Sequence, residues 1–305
     1  MFKNYSKMER KRFKFVGLML LIPILHFLVF YVYLNASSIM LAFSNAAGEF
    51  TLENFKTVWQ EFKNPSGMPL ADSLKRSMIT WSISTFLIFP LNILFSYALF
   101  KKVRGGNVFR LIFLLPGILG GVITTTLYRY MLDGLVSDLF YKWGWISDEL
   151  YQSGFFYGKA SFGAIVGYGI WTGLCGSVII LTGALTRIPD SVLESARLDG
   201  VGFFREFFQI ALPLIWPTIS TLLIFRLGGV LMADDGTFLL TGLGNKDAST
   251  GGYYIFSKVY DITQTGNLNA VYYPAALGLV LTIITVPFVL IVRHFLMKHT
   301  DEITY

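Results

Sequence analysis

Apolar positions along this chain gather into long runs, and the polar stretches between them differ in kind. Six runs approach or exceed the ~20 residues that an α-helix needs to cross a bilayer. They lie at about 15–34, 78–100, 111–132, 161–185, 214–233 and 273–296. The pattern predicts an all-α polytopic membrane protein with six transmembrane helices. Its parts are a basic N-terminus at 1–14, a transmembrane body at 15–296 and a short tail at 297–305. Pro23, Pro90, Pro116, Pro217 and Pro287 fall within these runs or near their ends. Membrane helices tolerate them, because neighbouring helices and Ser/Thr side chains re-satisfy the carbonyls that proline frees.

The polar stretch at 186–213 is ordered in a way a plain connecting loop is not. Ser191-Val-Leu-Glu194 matches a capping box, with Pro189 just upstream as a helix-start signal. Gly200 suits the left-handed turn that ends a helix. The spacing predicts a helix over 192–199. A second short helix is predicted after it. Phe203, Phe204, Phe207 and Phe208 fall on one face at helical spacing, with Arg205, Glu206 and Gln209 on the other. Helices this short are not stable alone in water, so packing must hold them.

Composition agrees with the apolar pattern: 54% of residues are hydrophobic and 14% charged. The formal net charge of +6 raises the question of nucleic acid. No basic patch is interleaved with stacking aromatics, so a nucleic-acid partner is not expected. The lysines and arginines are instead distributed by side. With the N-terminus inside, 15 of them lie on the inner side and 8 on the outer, while 12 of the 19 acids lie outside. This bias places both termini and the 186–213 stretch in the cytoplasm. The outer loops at 35–77 and 133–160 carry Trp59, Trp143, Trp145 and several tyrosines. Those rings suit the lipid interface; a partner or substrate outside is the other reading. The apolar N-terminal run is too long for a cleavable signal. Cys175, the one cysteine, reads as a small packing residue.

Polar groups inside the apolar runs are candidates for a transport pathway. Arg226 falls about 12 residues into the fifth run. An arginine at that depth normally faces a cavity or a partner. It suits sugar hydroxyls or an acidic group, and Asp234 and Asp235 are its candidate structural partners. Trp171, Tyr168 and Asn92 are further pathway candidates, each with helix packing as the alternative. His26 is expected to hydrogen-bond a neighbouring helix. Glycines 163, 167, 169, 173 and 176 form a candidate close-packing face. There is no Gly-x-x-x-x-Gly-Lys-Ser/Thr loop, no His/Cys/Asp cluster at metal spacing and no catalytic triad pattern. No cofactor is expected, and the chain does not read as an enzyme.

Glu194-Ser195-Ala196, three residues, Gly200, nine residues, then Ile210-Ala-Leu212-Pro213 resembles the "EAA" signature of inner-membrane permease subunits of binding-protein-dependent ABC importers. Ser195 stands where alanine is usual. Asp199-Gly200-Val201 resembles the family's Asp-Gly-Ala. The resemblance implies a type I importer permease in a bacterial inner membrane, with a coupling helix between helices 4 and 5. Its implied partners are a second permease subunit, a cytoplasmic ATPase dimer and an extracytoplasmic solute-binding protein. By the same analogy Glu194 pairs with a basic residue of the ATPase and Gly200 permits the turn; a capping role for Glu194 is the alternative. Leu239-Leu-Thr-Gly242, Ser249-Thr250 and Tyr253-Tyr-Ile255 resemble the outer loop of maltose-type first permeases, which implies a carbohydrate cargo. A phosphate-ester or peptide permease of the same class is the alternative. An ion-coupled secondary transporter would show inverted repeats and midplane acids, and a membrane enzyme would show a reactive constellation.

Overall fold

The computed structural model describes residues 7–65, 67–103, 105–266 and 268–298. Residues 1–6 of the basic N-terminus and the tail after residue 298 lie outside the described residues. The described chain is helical throughout, apart from turns and a single bridge between Ser44 and Phe50. In order the helices are α1 (Lys7–Phe27), α2 (Leu34–Ala42), α3 (Glu53–Lys63), α4 (Leu70–Ser82), α5 (Phe89–Phe100) and α6 (Gly106–Ile118). Then come α7 (Gly121–Tyr130), α8 (Ser137–Lys142), α9 (Asp148–Ser153), α10 (Ala160–Gly176), α11 (Val178–Leu185) and α12 (Asp190–Leu198). The remainder are α13 (Phe203–Glu206), α14 (Leu212–Leu214), α15 (Trp216–Leu227), α16 (Thr237–Thr241), α17 (Gly251–Thr265) and α18 (Tyr272–Lys298).

Four continuous helices are long and apolar enough to cross a membrane: Lys11–Ala42, Leu70–Phe100, Ala160–Leu185 and Tyr272–Lys298. Two bent pairs complete the six runs expected. The predicted third span is broken between Val108–Ile118 and Gly121–Lys142, which meet at 111°. Leu119 and Gly120 are extended there, three residues after Pro116. Proline weakens the ladder, and Gly120 carries no side chain to resist the turn. The fifth is Phe203–Leu214 joined to Trp216–Leu227 at 72°. Its helix stops at Leu227 rather than running on to residue 233, because Gly228 and Gly229 end it in turns. Wider π-helical turns occur at Leu28–Tyr33, Ile83–Ile88, Met131–Val136 and Phe207–Ala211. They loosen the i→i−4 ladder without ending the helix.

Two compact units are distinguishable, residues 1–60 with 261–280, and residues 61–260 with 281–305. In the first, every side chain from residue 11 to residue 36 is exposed. Asn54 Nδ2 donates to the Ala42 and Ser44 carbonyls at 2.9 Å, and Phe43 stacks on Phe50 and Phe55. His26, expected to bond a neighbouring helix, is exposed and stacks on Phe30 at 4.8 Å. The second unit has its main core where α5 packs along α11. Phe89, Ile93 and Tyr97 meet Leu181, Ala184 and Leu185, and Ile188, Leu193, Phe207, Ala211 and Ile215 close the same cluster. This one cluster joins two apolar helices to the ordered 186–213 stretch. A second cluster gathers Tyr128, Phe156, Ala164, Ile165, Tyr168 and Leu240.

Candidate functional site

The 186–213 stretch is built from its buried face outward. Helix α12 starts at Asp190 with Pro189 as an extended N-cap, and no side chain caps it. The expected capping box is therefore not formed: Ser191 sits inside the first turn, not at the cap. Its carbonyl instead accepts the Ser195 hydroxyl at 2.9 Å. The other end matches expectation closely. Gly200 takes φ +68°, its N–H donates to Arg197 O at 3.1 Å, and the Val201 N–H donates to Ala196 O at 3.0 Å. That pair of bonds is a Schellman motif, for which a residue without Cβ is the natural choice. Leu193 and Ala196 turn inward and are buried. Ala196, 4% exposed, leaves no room for a larger side chain. Ser195 faces outward, which explains why a hydroxyl replaces a methyl there without disturbing the packing. Glu194, Arg197, Leu198 and Asp199 form the exposed face, and Leu198 is 89% exposed.

The second short helix departs from the expected split between a Phe face and a polar face. The residues that point inward are Glu206 and Phe207, whereas Phe204 and Phe208 are exposed. Glu206 is 2% exposed, and both its carboxylate oxygens lie 2.7 Å from Lys101 Nζ. Tyr97 packs in tilted contact with Phe203 and Phe207 at 4.9 and 5.0 Å and carries Lys101 above its ring at 6.0 Å. Buried carboxylates require such a partner. The sequence signal was a lone acid inside Phe-Phe-Arg-Glu-Phe-Phe together with a lysine at the end of an apolar run. In the π-turn that follows, Ala211 is fully buried while Ile210, Leu212 and Pro213 are half-buried.

Arg226 lies in the last turn of α15. Its Nη1 donates to the Ser84 hydroxyl at 2.7 Å and the Ser84 carbonyl at 3.2 Å, its Nη2 to the Ser177 hydroxyl at 3.2 Å. The guanidinium rests on the Phe89 ring at 4.8 Å, and Trp81 Nε1 donates to the Arg226 carbonyl at 2.8 Å. Asp234 and Asp235 are not its partners. Asp234 accepts the Thr237 N–H at 3.0 Å, and Asp235 lies against Gly169 of α10. The helix ends one residue after Arg226, which carries both aspartates away from it. Arg226 instead ties three irregular places together: the π-turn holding Ser84, the break at Ser177 between α10 and α11, and the end of α15.

The other candidates separate. Asn92 is fully buried and donates from Nδ2 to the Gly173 carbonyl at 2.9 Å, pinning α5 to α10. Tyr168 is buried, with its hydroxyl 2.9 Å from that of Thr124. Trp171 is half-buried and stacks on Tyr128 at 5.9 Å. Tyr168 and Trp171 share one aromatic cluster. The glycines of α10 do not share one partner. Gly167 receives the Tyr128 hydroxyl, Gly169 receives Asp235 and Gly173 receives Ile88. Burial, and then the charge of Asp234, push the Asp235 carboxyl up to about 6. Among the described residues no His/Cys/Asp/Glu group is arranged to hold a metal ion.

Residues 63–299 match the family described as the binding-protein-dependent transport system inner membrane component. The chain belongs to this family. It is accordingly a multi-pass membrane component of a transport system rather than an enzyme. It is 26% identical over 266 residues to the multiple sugar-binding transport system permease protein MsmF of Streptococcus mutans, covering 83% of this chain and 87% of that one. Over a shorter stretch of 128 residues it is 31% identical to the sn-glycerol-3-phosphate transport system permease protein UgpA of Shigella dysenteriae, 41% of this chain and 42% of that one. The fold is that of a chain in the crystal structure of a bacterial ABC transporter involved in the import of the acidic polysaccharide alginate. That match has a TM-score of 0.77 at 23% identity and covers 95% of this chain and 98% of that one.

Proposed function

We propose that this chain is one of two permease subunits of an ATP-driven importer, and that α12 is the element that seats on a cytoplasmic ATPase. The observation that carries this reading is the division of α12. Leu193 and Ala196 anchor it in the core shared by α5 and α11, while Leu198 stands 89% exposed beside Glu194, Ser195 and Asp199. A leucine that exposed on an anchored helix fits a partner pocket, with Glu194 set to meet a basic residue at the rim. Gly200 sets the turn that directs the chain into Phe203–Ala211. Ile210, Leu212 and Pro213 carry it on to the bend before α15. The charge bias supports a cytoplasmic location for this segment and for both termini.

The cargo reading is a sugar or oligosaccharide delivered by a solute-binding protein on the outer side. Its support is the likeness to MsmF over most of both chains. A route past the half-buried Trp171 suits it, since aromatic faces pack well against sugar rings, with the buried Tyr168 holding that ring in place. Arg226 has two nitrogens engaged with Ser84 and Ser177 and is read as a cross-link beside that route rather than an anion receptor. The test is purification of the complex through a tag on this chain. Leu198→Ser and Glu194→Gln are expected to lower the amount of co-purifying ATPase, Leu198→Ser the more strongly, with yield of the permease unchanged. Full ATPase recovery with both variants would exclude α12 as the docking element.

A further inference from the structure

We infer that Lys101 and Glu206 form a positioning link that makes the Phe203–Ala211 segment move with the end of α5 as one body. The inference rests on the reading of α12 as the docking element and adds the residues that pass its displacement to the second span. Lys101 caps the C-terminus of α5, and Glu206 lies in the first turn of the helix that runs from α13 into the π-turn. A cation at a helix C-terminus and an acid in a helix first turn each complement the dipole of their own helix. The pair therefore joins two helix ends that the chain separates by 105 residues. Both carboxylate oxygens are engaged at 2.7 Å, with Glu206 almost fully buried.

Nearby backbone is committed to the same junction. Lys102 adopts φ +53°, a left-handed conformation that disfavours any residue with a Cβ. The Lys102 N–H donates to Leu99 O at 3.2 Å and the Val103 N–H to Ala98 O at 3.4 Å, a Schellman turn without glycine. That geometry ends α5 directly after Lys101.

The physical argument is one of direction. Tyr97, Phe203 and Phe207 supply apolar contact between the segment and α5, and such contact is non-directional. A charge-assisted pair with both oxygens engaged is directional and resists sliding. The covalent route onward from the segment is compliant by comparison. It passes through the 72° bend before α15. A push on α12 reaches α5 through the shared core around Leu193 and through the ion pair, and of the two the ion pair is the directional contact. A buried pair adds little stability over apolar side chains of equal size, so its presence calls for another role, and positioning supplies one.

The test labels Val103 and Gln209, both exposed, with spin probes in a Cys175→Ala background of the purified complex. Distances are recorded without nucleotide and after trapping with ADP and vanadate. The expected wild-type result is a single narrow distance, the same in both states. The uncharged pair Lys101→Met/Glu206→Gln is expected to broaden the distance and to shift it on trapping. The reversed pair Lys101→Glu/Glu206→Lys is expected to restore the narrow one. An unchanged narrow distance in the uncharged variant overturns the proposal. If that variant does not assemble, Glu206→Asp, which keeps the charge and shortens the arm, is expected to broaden the distance, and an unchanged one again overturns it. The docking reading fails separately, on the absence of a co-purifying ATPase, since both probes sit on this chain and the nucleotide-free distance needs no ATPase to be read.

Discussion

Replacing Gly251 by alanine is expected to unseat the helix that follows the outer turn. A Cβ at Gly251 overlaps the Leu231 carbonyl oxygen and lies 3.2 Å from Leu74 Cδ2. The next residue is as tightly placed: a Cβ on Gly252 would stand 2.7 Å from the Met232 carbonyl oxygen. Both obstacles include backbone, which cannot rotate away as a side chain would. The start of α17 must therefore retreat. Two bonds are strained by that retreat, from the Gly251 N–H to Ser77 Oγ at 2.8 Å and between the Ser73 and Ser249 hydroxyls at 2.7 Å. Overpacking of this kind costs about 1–3 kcal/mol, and each weakened bond about 1 kcal/mol. The gain in helix propensity from glycine to alanine is at most about 1 kcal/mol. The net loss is about 3 kcal/mol, a fall of about 5 °C in melting temperature for a chain of this length. Thermal unfolding in detergent, followed by size-exclusion fluorescence, measures it. Gly278→Ala, whose Cβ meets nothing within 4 Å, is the control and is expected to hold or raise the midpoint. A Gly251→Ala midpoint equal to wild type would refute the close approach of α17 to residues 231–234.

Two further outcomes follow from the same structure. Lys102→Gly relieves a left-handed lysine, and after the greater freedom of glycine in the unfolded chain is subtracted it is expected to stabilise by about 0.5–1 kcal/mol; an unchanged or lower thermal midpoint would count against the turn. Asp235 has a carboxyl pushed from 3.8 to about 6, so between those values the folded chain holds a proton that the unfolded chain has released. Stability is therefore expected to fall as pH rises through that window and to level off above about 6. Asp235→Asn should remove the slope and be the more stable form above it, as melting scans across pH would record; parallel curves for the two would contradict the burial of Asp235.

The broad architecture was legible in the sequence because the bilayer imposes a one-dimensional rule. A segment with enough consecutive apolar residues is helical whatever its neighbours do. That rule located six runs. It missed the turn at Leu119–Gly120, since run length carries no information on direction. Gly200 was legible because its requirement is local, a φ value that other residues resist. The capping box was misread because Pro189 starts the helix two residues earlier than Ser191 and leaves that serine inside the first turn. The assignment of Glu206 to an exposed face failed because its burial depends on Lys101, 105 residues away in the chain, which supplies the charge that lets the carboxylate leave water.

The class of the protein, the approximate place of each membrane run and the residues of the signature from Glu194 to Pro213 are readable from the chain alone. Each depends on composition, run length or spacing within about twenty residues. Packing sets which of those residues face inward, that Arg226 meets Ser84 and Ser177 rather than Asp234 and Asp235, and that Glu206 meets Lys101. These are pairings between segments that lie 49 to 142 residues apart, or 105 in the last case. Local pattern holds no term for them, because a buried charge or donor is satisfied by whichever group packing brings within about 3 Å.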